Sequence, residues 1–525
     1  MNKLFQQIVG NKPRRNAFDL SHERKFSMNM GDLVPILCED VLPGDTFQLN
    51  TEIMIRLAPM LAPIMHRVNV FTHFFFVPNR LIWDEWEEFI TGGTDGEDQP
   101  LMPYMVCQTE SQCLAPGTLA DYLGHATIPQ VPEGPGARLN ALPFRAYLMI
   151  YNEYYRDQNL IEEIPNPINS GLTSVLQLSV LRKRAWEKDY FTSALPWTQR
   201  GGSVSLPMSG NAPVVLANTD NVQVMRTGSL SESATGNVSV DNTNPDLQAA
   251  LHTTSGSIYM DPAGTLEADL ANVNATTIEE LRRATKLQQW LERNARGGAR
   301  YIEQILAHFG VRSSDARLQR PEYLGGGKSP VVISEVLQQS GMSTVGGETI
   351  NQTPQGEMTG HGIAVGKSHR FKKFFEEHGQ IIGIMSVLPK TAYMQGTRKH
   401  LKKEDKFDYF FPEFAQLGEQ AVSNKEIYED YIAPESTFGY QSRYAEYKYI
   451  PSSVHGEFRE DSLMYWHMAR DFDAEPVLNG EFVEADPTNR IFSVLDADVA
   501  KLYVQVYHNL KAIRPIPTFN NPSLL

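Results

Sequence analysis

Four carboxylates crowd the stretch WDEWEEF: Asp84, Glu85, Glu87 and Glu88. Paired carboxylates can do general acid–base work on a bond held between them. At helical spacing these four lie largely opposite Leu81, Ile82, Trp86, Phe89 and Ile90, so a solvated helix face explains them more simply. Two Gly-Lys-Ser triplets raise phosphate binding. A phosphate loop needs G-x-x-x-x-G-K-[ST], the spacing that wraps backbone amides around the phosphates. GHGIAVGKS ends in Gly366-Lys367-Ser368 with His361 at the first required position, and PEYLGGGKS ends in Gly327-Lys328-Ser329 with Glu322 there. Both lack the first glycine. His66 and His73 sit an odd number of residues apart in an apparent strand, on opposite faces, and cannot share a metal. Neither G-x-S-x-G nor H-E-x-x-H occurs. The three cysteines, Cys38, Cys107 and Cys113, are too sparse for a disulfide framework and lack the second pair of a zinc site, so buried thiols are expected. No catalytic residue, metal site or cofactor is expected.

The elements that would position any site are mainly strands. TFQLNTEIMIRL (46–57) alternates, with Phe47, Leu49, Thr51, Ile53, Ile55 and Leu57 on one face, as a half-buried strand does. In HRVNVFTHFFF (66–76) one parity holds Val68, Val70, Thr72, Phe74 and Phe76. The other parity also carries apolar bulk, Phe71 and Phe75 around His73, so a second layer must cover that face. GQIIGIMSVLP (379–389), RYAEYKYIPS (443–452) and AKLYVQVYHNL (500–510) are further strand candidates. RLIWDEWEEFI, FRAYLMIYNEYYRDQN, TIEELRRATKLQQWLERNA and RYIEQILAHF have helical spacing, the third opened by a Thr277–Glu280 capping box. Residues 91–140 read mainly as surface loops. VLQLSVLRKRAWEKDYF is ambiguous between strand and helix. Residues 201–274 turn rich in Ser, Thr, Asn and Gly, with Arg226 as the one basic residue, and suit a projecting insertion between 1–200 and 275–525. Strong strands near both ends, separated by long excursions, fit a β-sandwich with large inserted loops.

With 525 residues there is chain enough for a large core, and the composition is that of an ordinary globular protein. No apolar run reaches the ~18–20 residues that span a bilayer, and the N-terminus lacks a secretory pattern, so synthesis in a cytoplasm is expected. The net charge of −15 excludes nucleic-acid binding over the whole surface. Both ends are nonetheless locally basic: Lys3, Lys12, Arg14 and Arg15 precede the first acid, and Lys501, Lys511 and Arg514 follow the last.

Long phrases then carry a resemblance: FDLSHERKFSMNMGDLVPILCEDVLPGDTF, RVNVFTHFFFVPNRLIWDEWEEFITGG, DYFTSALPWTQRG, LERNARGGARYIEQILAHFGV, TPQGEMTGHG and GYQSRYAEYKYIPS. The sequence resembles the major capsid proteins of the microviruses, small icosahedral single-stranded-DNA bacteriophages, in their gokushovirus branch. Residues 201–274 and the extreme C-terminus match little. The resemblance implies an eight-stranded antiparallel jelly roll with long inserted loops and several helices. It also implies a T=1 shell of sixty copies around circular single-stranded DNA, found in the virion and made in a bacterial cytoplasm. The partners it implies are a small basic DNA-packaging protein, scaffolding and pilot proteins, and a host surface receptor met by a three-fold protrusion, for which 201–274 is the natural segment.

On that reading Lys3, Lys12, Arg14, Arg15, Lys511 and Arg514 would meet phosphates, and Phe5 and Phe18 would stack on unpaired bases. Phe71, His73 and Phe75 would be covered by inserted segments of the same subunit or by a neighbouring one. The main alternative is a carbohydrate-binding or glycoside-hydrolysing β-sandwich; a non-viral compartment shell is another.

Overall fold

The computed structural model describes residues 14–518 except 96, 108–112, 128–135, 203, 205–213, 217–223, 227–257, 261–265, 269–277, 299, 338–343, 346–347, 350–357, 433, 495 and 497–498. Contacts divide the chain into two compact units, residues 1–198 with 295–525, and residues 199–294.

Ten strands build two antiparallel sheets in the first unit: β1 (Asn16–Asp19), β2 (His22–Met28), β3 (Val34–Val41), β4 (Thr46–Leu57), β5 (Val68–Pro78), β6 (Glu322–Pro330), β7 (Val332–Leu337), β8 (Met358–Phe374), β9 (Gly379–Pro389) and β10 (Leu502–Arg514). One sheet runs β1-β10-β4-β8-β7, with β2 also on β10; the other runs β6-β5-β9-β3. The alternation in β4 and β10 turns Phe47, Leu49, Ile53, Ile55, Leu502, Val504, Val506 and Leu510 into one core shared with Val68, Val70, Phe74 and Phe76 of β5. Packing two such faces removes the apolar stripe of each sheet from water, the main driving force for the sandwich. His508 is buried in this core as a neutral imidazole, because burial depresses its pKa to about 4. Its Nδ1 lies 3.0 Å from Thr51 Oγ1 and its Nε2 3.0 Å from the Ile36 carbonyl, so both ring nitrogens are partnered.

The four-stranded sheet carries a second layer on its outer face. Strand β9 is buried along its whole length. Ile382 and Ile384 of β9 and Phe75 and Val77 of β5 pack into a second core with Trp83, Phe144, Tyr147 and Leu148. Helix α2 (Leu142–Ile150), which follows α1 (Trp86–Thr91), supplies most of that layer and continues as one wide π turn to Tyr155. Arg145 of α2 is fully buried and donates to the carbonyls of Ile82 (2.9 Å) and Asn169 (2.8 Å) and to Thr173 Oγ1 (2.6 Å).

Several local readings change. Residues 91–140 are not only loops: Tyr104–Cys107 pairs with Ala137–Asn140, and Met105, Leu119 and Ala120 are core residues. Cys107 and Cys113, six residues apart, are fully buried and joined as a disulfide, not free thiols; both belong to that second core. The helix over WDEWEEF breaks at Trp83, with Asn79–Ile82 before it and α1 after it. Arg443–Ser452 is not a strand: Ala445–Tyr447 forms a 3-10 turn and only Ser452–Ser453 is extended. The ambiguous VLQL segment is a short helix, Val175–Leu178, followed by irregular chain. Thr277, the expected cap, lies outside the described residues.

In the second unit, Val214–Leu216 pairs with Leu266–Ala268 and Val224–Arg226 with Ile258–Met260, both antiparallel. Helix α3 (Ile278–Gly297) begins near its end.

A third core of the first unit, around Tyr190, Phe191, Tyr393 and Phe438, holds a buried carboxyl group, Glu426. Its Oε2 accepts from the Tyr190 hydroxyl and its Oε1 from the Ser423 backbone N–H, both at 3.0 Å. Burial is the leading cause that pushes its pKa from 4.5 up to about 7, against the pull of Lys399. A raised folded-state value means that the group's contribution is fully present below pH 4.5 and is lost as pH rises through 7. Glu426→Gln should therefore be more stable than the parent at pH 8, by up to about 3 kcal/mol. The gain should vanish on acidification to about pH 4.5, as urea denaturation of the subunit at several pH values would read.

Candidate nucleic-acid interface

Among the described residues, one large face of the sandwich has no second layer: the outer face of the six-stranded sheet. Cross-strand neighbours share a face, so register dictates what it displays. Lys372, Gln48, Lys511 and Asp19 form one row across β8, β4, β10 and β1, and Arg370, Asn50 and Asn509 the next. Further along, Tyr507 stands beside Glu52 and Glu23, and Tyr503 beside Arg56. Phe374 and Ile513 lie at the opposite end, both flanking Thr46. Arg370, Lys372, Lys511, Tyr503, Tyr507, Phe374 and Ile513 are exposed. A groove of about 650 Å³ runs between Arg370, Lys372 and Lys511, floored by Gln48, Asn50 and Asn509.

Among the described residues, six basic side chains (Arg15, Lys25, Arg56, Arg370, Lys372, Lys511) stand on this face or its rim against three acidic ones (Asp19, Glu23, Glu52). Ser21 donates from its hydroxyl and its backbone N–H to Asp19, holding that carboxyl below its ordinary value, with Lys511 adding to the effect. Arg15 lays its guanidinium over the Phe374 ring, 5.1 Å from the centroid. Cationic groups interleaved with exposed rings can meet phosphates and unpaired bases at once.

The terminal residues read from the sequence divide. Lys511 and Arg15 stand on this face, and Arg14 is exposed beside Arg15. Lys3, Phe5 and Lys12 lie outside the described residues. Arg514 has the inward parity of Leu510 and Ala512: its Nε donates to the buried Asp45 carboxylate at 3.1 Å, and its guanidinium sits over Phe47 at 5.0 Å. That ion pair with a buried carboxylate turns its guanidinium inward, leaving the side chain partly exposed. Phe18 pairs with buried Ala512 and so points to the sandwich side, half-buried, not outward to stack on a base. Lys501 is fully buried, donating to the carbonyls of Asp496 and Val499. Arg370 and Lys372 escaped the sequence reading. The one available signal was their alternation with Phe371 in RFKKF, and only the β8–β4 pairing places them beside Lys511.

Phe71, His73 and Phe75 lie on the other sheet, under chain of the same subunit. Phe75 is 1% exposed, with Tyr154, Tyr323 and Tyr155 at 4.7, 5.5 and 6.1 Å. Phe71 packs with Trp186, Leu388 and Ala485 under the Arg184 guanidinium, 4.1 Å away. His73 Nδ1 is 2.8 Å from the Tyr155 hydroxyl. Both Gly-Lys-Ser triplets fall inside strands, Gly327–Ser329 in β6 and Gly366–Ser368 in β8, so neither is the strand-to-helix loop that cradles a phosphate. Glu87 and Glu88 of α1 are exposed. Among the described residues no three His, Cys, Asp or Glu side chains gather as a metal site.

The chain is similar along its whole length to known proteins. The family model described as capsid protein (F protein) of phages covers residues 6–524. The capsid protein VP1 of Bdellovibrio phage phiMH2K is 37% identical over 542 aligned residues, spanning 99% of this chain and 97% of that one. VP1 of Chlamydia phage 1 is 35% identical, over 100% of this chain and 98% of its own, and VP1 of Spiroplasma virus 4 is 32% identical over 99% and 97%. This chain belongs to the phage capsid protein (F protein) family. The resemblance read from the sequence holds, and the glycoside-hydrolysing alternative falls: this is a structural capsid protein of a bacteriophage, assembled with copies of itself in a virion.

Proposed function

We propose that copies of this capsid protein close into a T=1 shell of sixty around circular single-stranded DNA, with the bare face of the six-stranded sheet turned towards the genome. The observation that carries the reading is that face: a wide sheet surface, uncovered by any described residue, on which Arg370, Lys372 and Lys511 stand beside a groove and near exposed aromatic rings. On a chain of net charge −15 a patch with cationic excess is a local exception. Phosphate contacts supply affinity without sequence preference, which suits a container that must accept a whole genome.

The strand order supports an eight-stranded jelly roll at the centre. Strands β2, β10, β4 and β8 lie in one sheet and β3, β9, β5 and β6 in the other, so that in chain order the eight strands alternate between the sheets, with only the successive pair β5 and β6 in the same one. Strands β1 and β7 extend the first sheet. The basic excess on the sheet is small against a packaged genome, so a small basic packaging protein completes neutralisation. Residues 201–274 form the protrusion that meets a host surface receptor, and scaffolding and pilot proteins serve assembly and delivery.

Reversing Arg370, Lys372 and Lys511 to Glu tests the reading. Particles should still form, but nuclease-protected DNA per particle should fall by about tenfold, since three phosphate contacts become three repulsions. Unchanged DNA content would show that the genome does not lie on this face.

A further inference from the structure

A cavity of about 710 Å³ opens beside the four-stranded sheet, away from the basic one. Phe75 of β5, Tyr323 of β6 and Lys390 just past β9 line it, with Tyr154 and Tyr155 at the end of the π turn and Trp186 in the chain that follows. Its rings form a contiguous wall: Tyr154 lies 4.7 Å and Tyr323 5.5 Å from Phe75. Tyr323 is 45% exposed, so part of that wall is open to a visitor. A space of this size with aromatic walls and a few charged groups is what small-molecule sites favour.

The charges in it do not balance. Five cations, Arg156, Arg184, Lys188, Arg300 and Lys390, line the cavity with three carboxylates, Asp157, Glu187 and Glu303, an excess of two positive charges. The carboxylates are already engaged. Asp157 pairs with Lys188, and Glu187 pairs with Lys328 at 2.8 Å. Glu303 accepts from the Gln158 amide at 2.7 Å and from the Arg300 backbone N–H at 3.1 Å. Arg156 has Glu163 at 3.8 Å and Arg300 has Glu153 at 3.9 Å. Arg184 and Lys390 are left over: among the described residues neither has a carboxylate within ion-pair distance. Arg184 donates to the Ser386 hydroxyl at 3.1 Å and lies over the Phe71 ring at 4.1 Å. Burial lowers its pKa, the mark of a charge drawn out of water. Such a charge is costly without a counter-ion, so the cavity calls for an anion.

The body attached to that anion follows from what else is free. A sugar needs partners for several hydroxyls, and the carboxylates and the Gln158 amide are spent on their neighbours. The ring faces are not spent. A flat heteroaromatic ring stacks on such faces, as nucleic-acid bases do on aromatic side chains. We propose that this cavity binds a free nucleoside monophosphate, with Arg184 and Lys390 as its phosphate contacts and Tyr323 and the rings beside it as the stacking wall for its base. The inference is independent of the genome-facing sheet, which is the other one. A ligand held only by the folded subunit stabilises it by mass action.

Calorimetric titration of the folded full-length chain with dTMP, thymidine, inorganic phosphate and ribose 5-phosphate tests this. Binding of dTMP is expected, with each of the other three weaker by about tenfold or more. Thermal unfolding should shift upward with dTMP. Lys390→Gln should weaken dTMP by about tenfold and leave thymidine unchanged, and Lys390→Arg should restore it. Tyr323→Ala should weaken dTMP by about tenfold and leave phosphate unchanged. Circular dichroism confirms that each variant is folded, and Lys390, half-buried at the end of a strand, carries the test if Tyr323→Ala does not fold. The chain with Arg370, Lys372 and Lys511 changed to Glu should bind dTMP as the parent does. No dTMP binding at millimolar concentration overturns the proposal, as does parental affinity in Lys390→Gln. Ribose 5-phosphate bound as tightly as dTMP overturns the stacking of a base. Loss of dTMP binding in the triple-Glu chain would place the nucleotide on the basic sheet and overturn this cavity, while leaving the proposed function intact.

Discussion

Phe75→Ser should destabilise the folded subunit by about 4 kcal/mol, the middle of the range for deleting a buried aromatic ring. The ring is 1% exposed and packed against Tyr154, Tyr155 and Tyr323, so its removal leaves a cavity between the sheet and the layer that covers it. The serine hydroxyl adds a polar group to an apolar site. Phe71→Ser on the same strand removes a second ring, from the Trp186 cluster, and the platform over which Arg184 sits. The two together should leave little folded subunit, and shells should be lost with it. Urea denaturation of each variant subunit, alongside particle yield, separates two kinds of cover. The layer formed by Tyr154 and Tyr323 predicts that folding fails first. A well-folded double variant that merely cannot assemble would mean that a neighbouring copy, not this chain, holds that face.

The second large effect is expected at Arg145. Its guanidinium is fully buried, and burial lowers its pKa to about 10. It remains charged at neutral pH, with three hydrogen bonds tying α2 to the end of Asn79–Ile82 and to the loop at Asn169 and Thr173. Arg145→Met keeps much of the volume but strands two carbonyls and a hydroxyl without their donor. Each stranded group costs about 1–3 kcal/mol, partly offset because a buried charge is no longer desolvated, and a net loss of about 3 kcal/mol is expected. Arg145→Lys should recover little of it, since one ammonium cannot span three acceptors placed around a planar fork. Urea melts would measure both, and limited proteolysis should show earlier cutting in the 156–173 segment. Parental stability in Arg145→Met would mean that packing of Phe144, Tyr147 and Leu148 holds the layer unaided.

Strands with a clean period were legible from the residues alone. Thr46–Leu57 and Gly379–Pro389 have the bounds that their patterns suggested, and the alternation over 500–510 runs on to Arg514. Arg443–Ser452 deceived because a run rich in tyrosine has the composition of a strand, whereas Tyr444 turns the chain at a positive φ of 60° and packs against Phe410 and Tyr447. The buried pieces of 91–140 were hidden by their turn-rich surroundings. The site was legible only where a residue's role is local. Lys511 and Arg15 could be picked as bases in an acid-free stretch. That Arg514 would meet Asp45, more than four hundred positions away, and that Arg370 and Lys372 would stand beside Lys511, are facts of strand register. Register between distant strands leaves no mark in a local pattern.

The most direct measurement is a cryo-electron microscopy reconstruction of purified particles at a resolution that traces strands. A closed shell is predicted in which β1, β10, β4 and β8 turn their bare face inward, with nucleic-acid density against Arg370, Lys372 and Lys511. Particles in which that sheet faces the outside solution, or shells whose interior density avoids those three side chains, would contradict it.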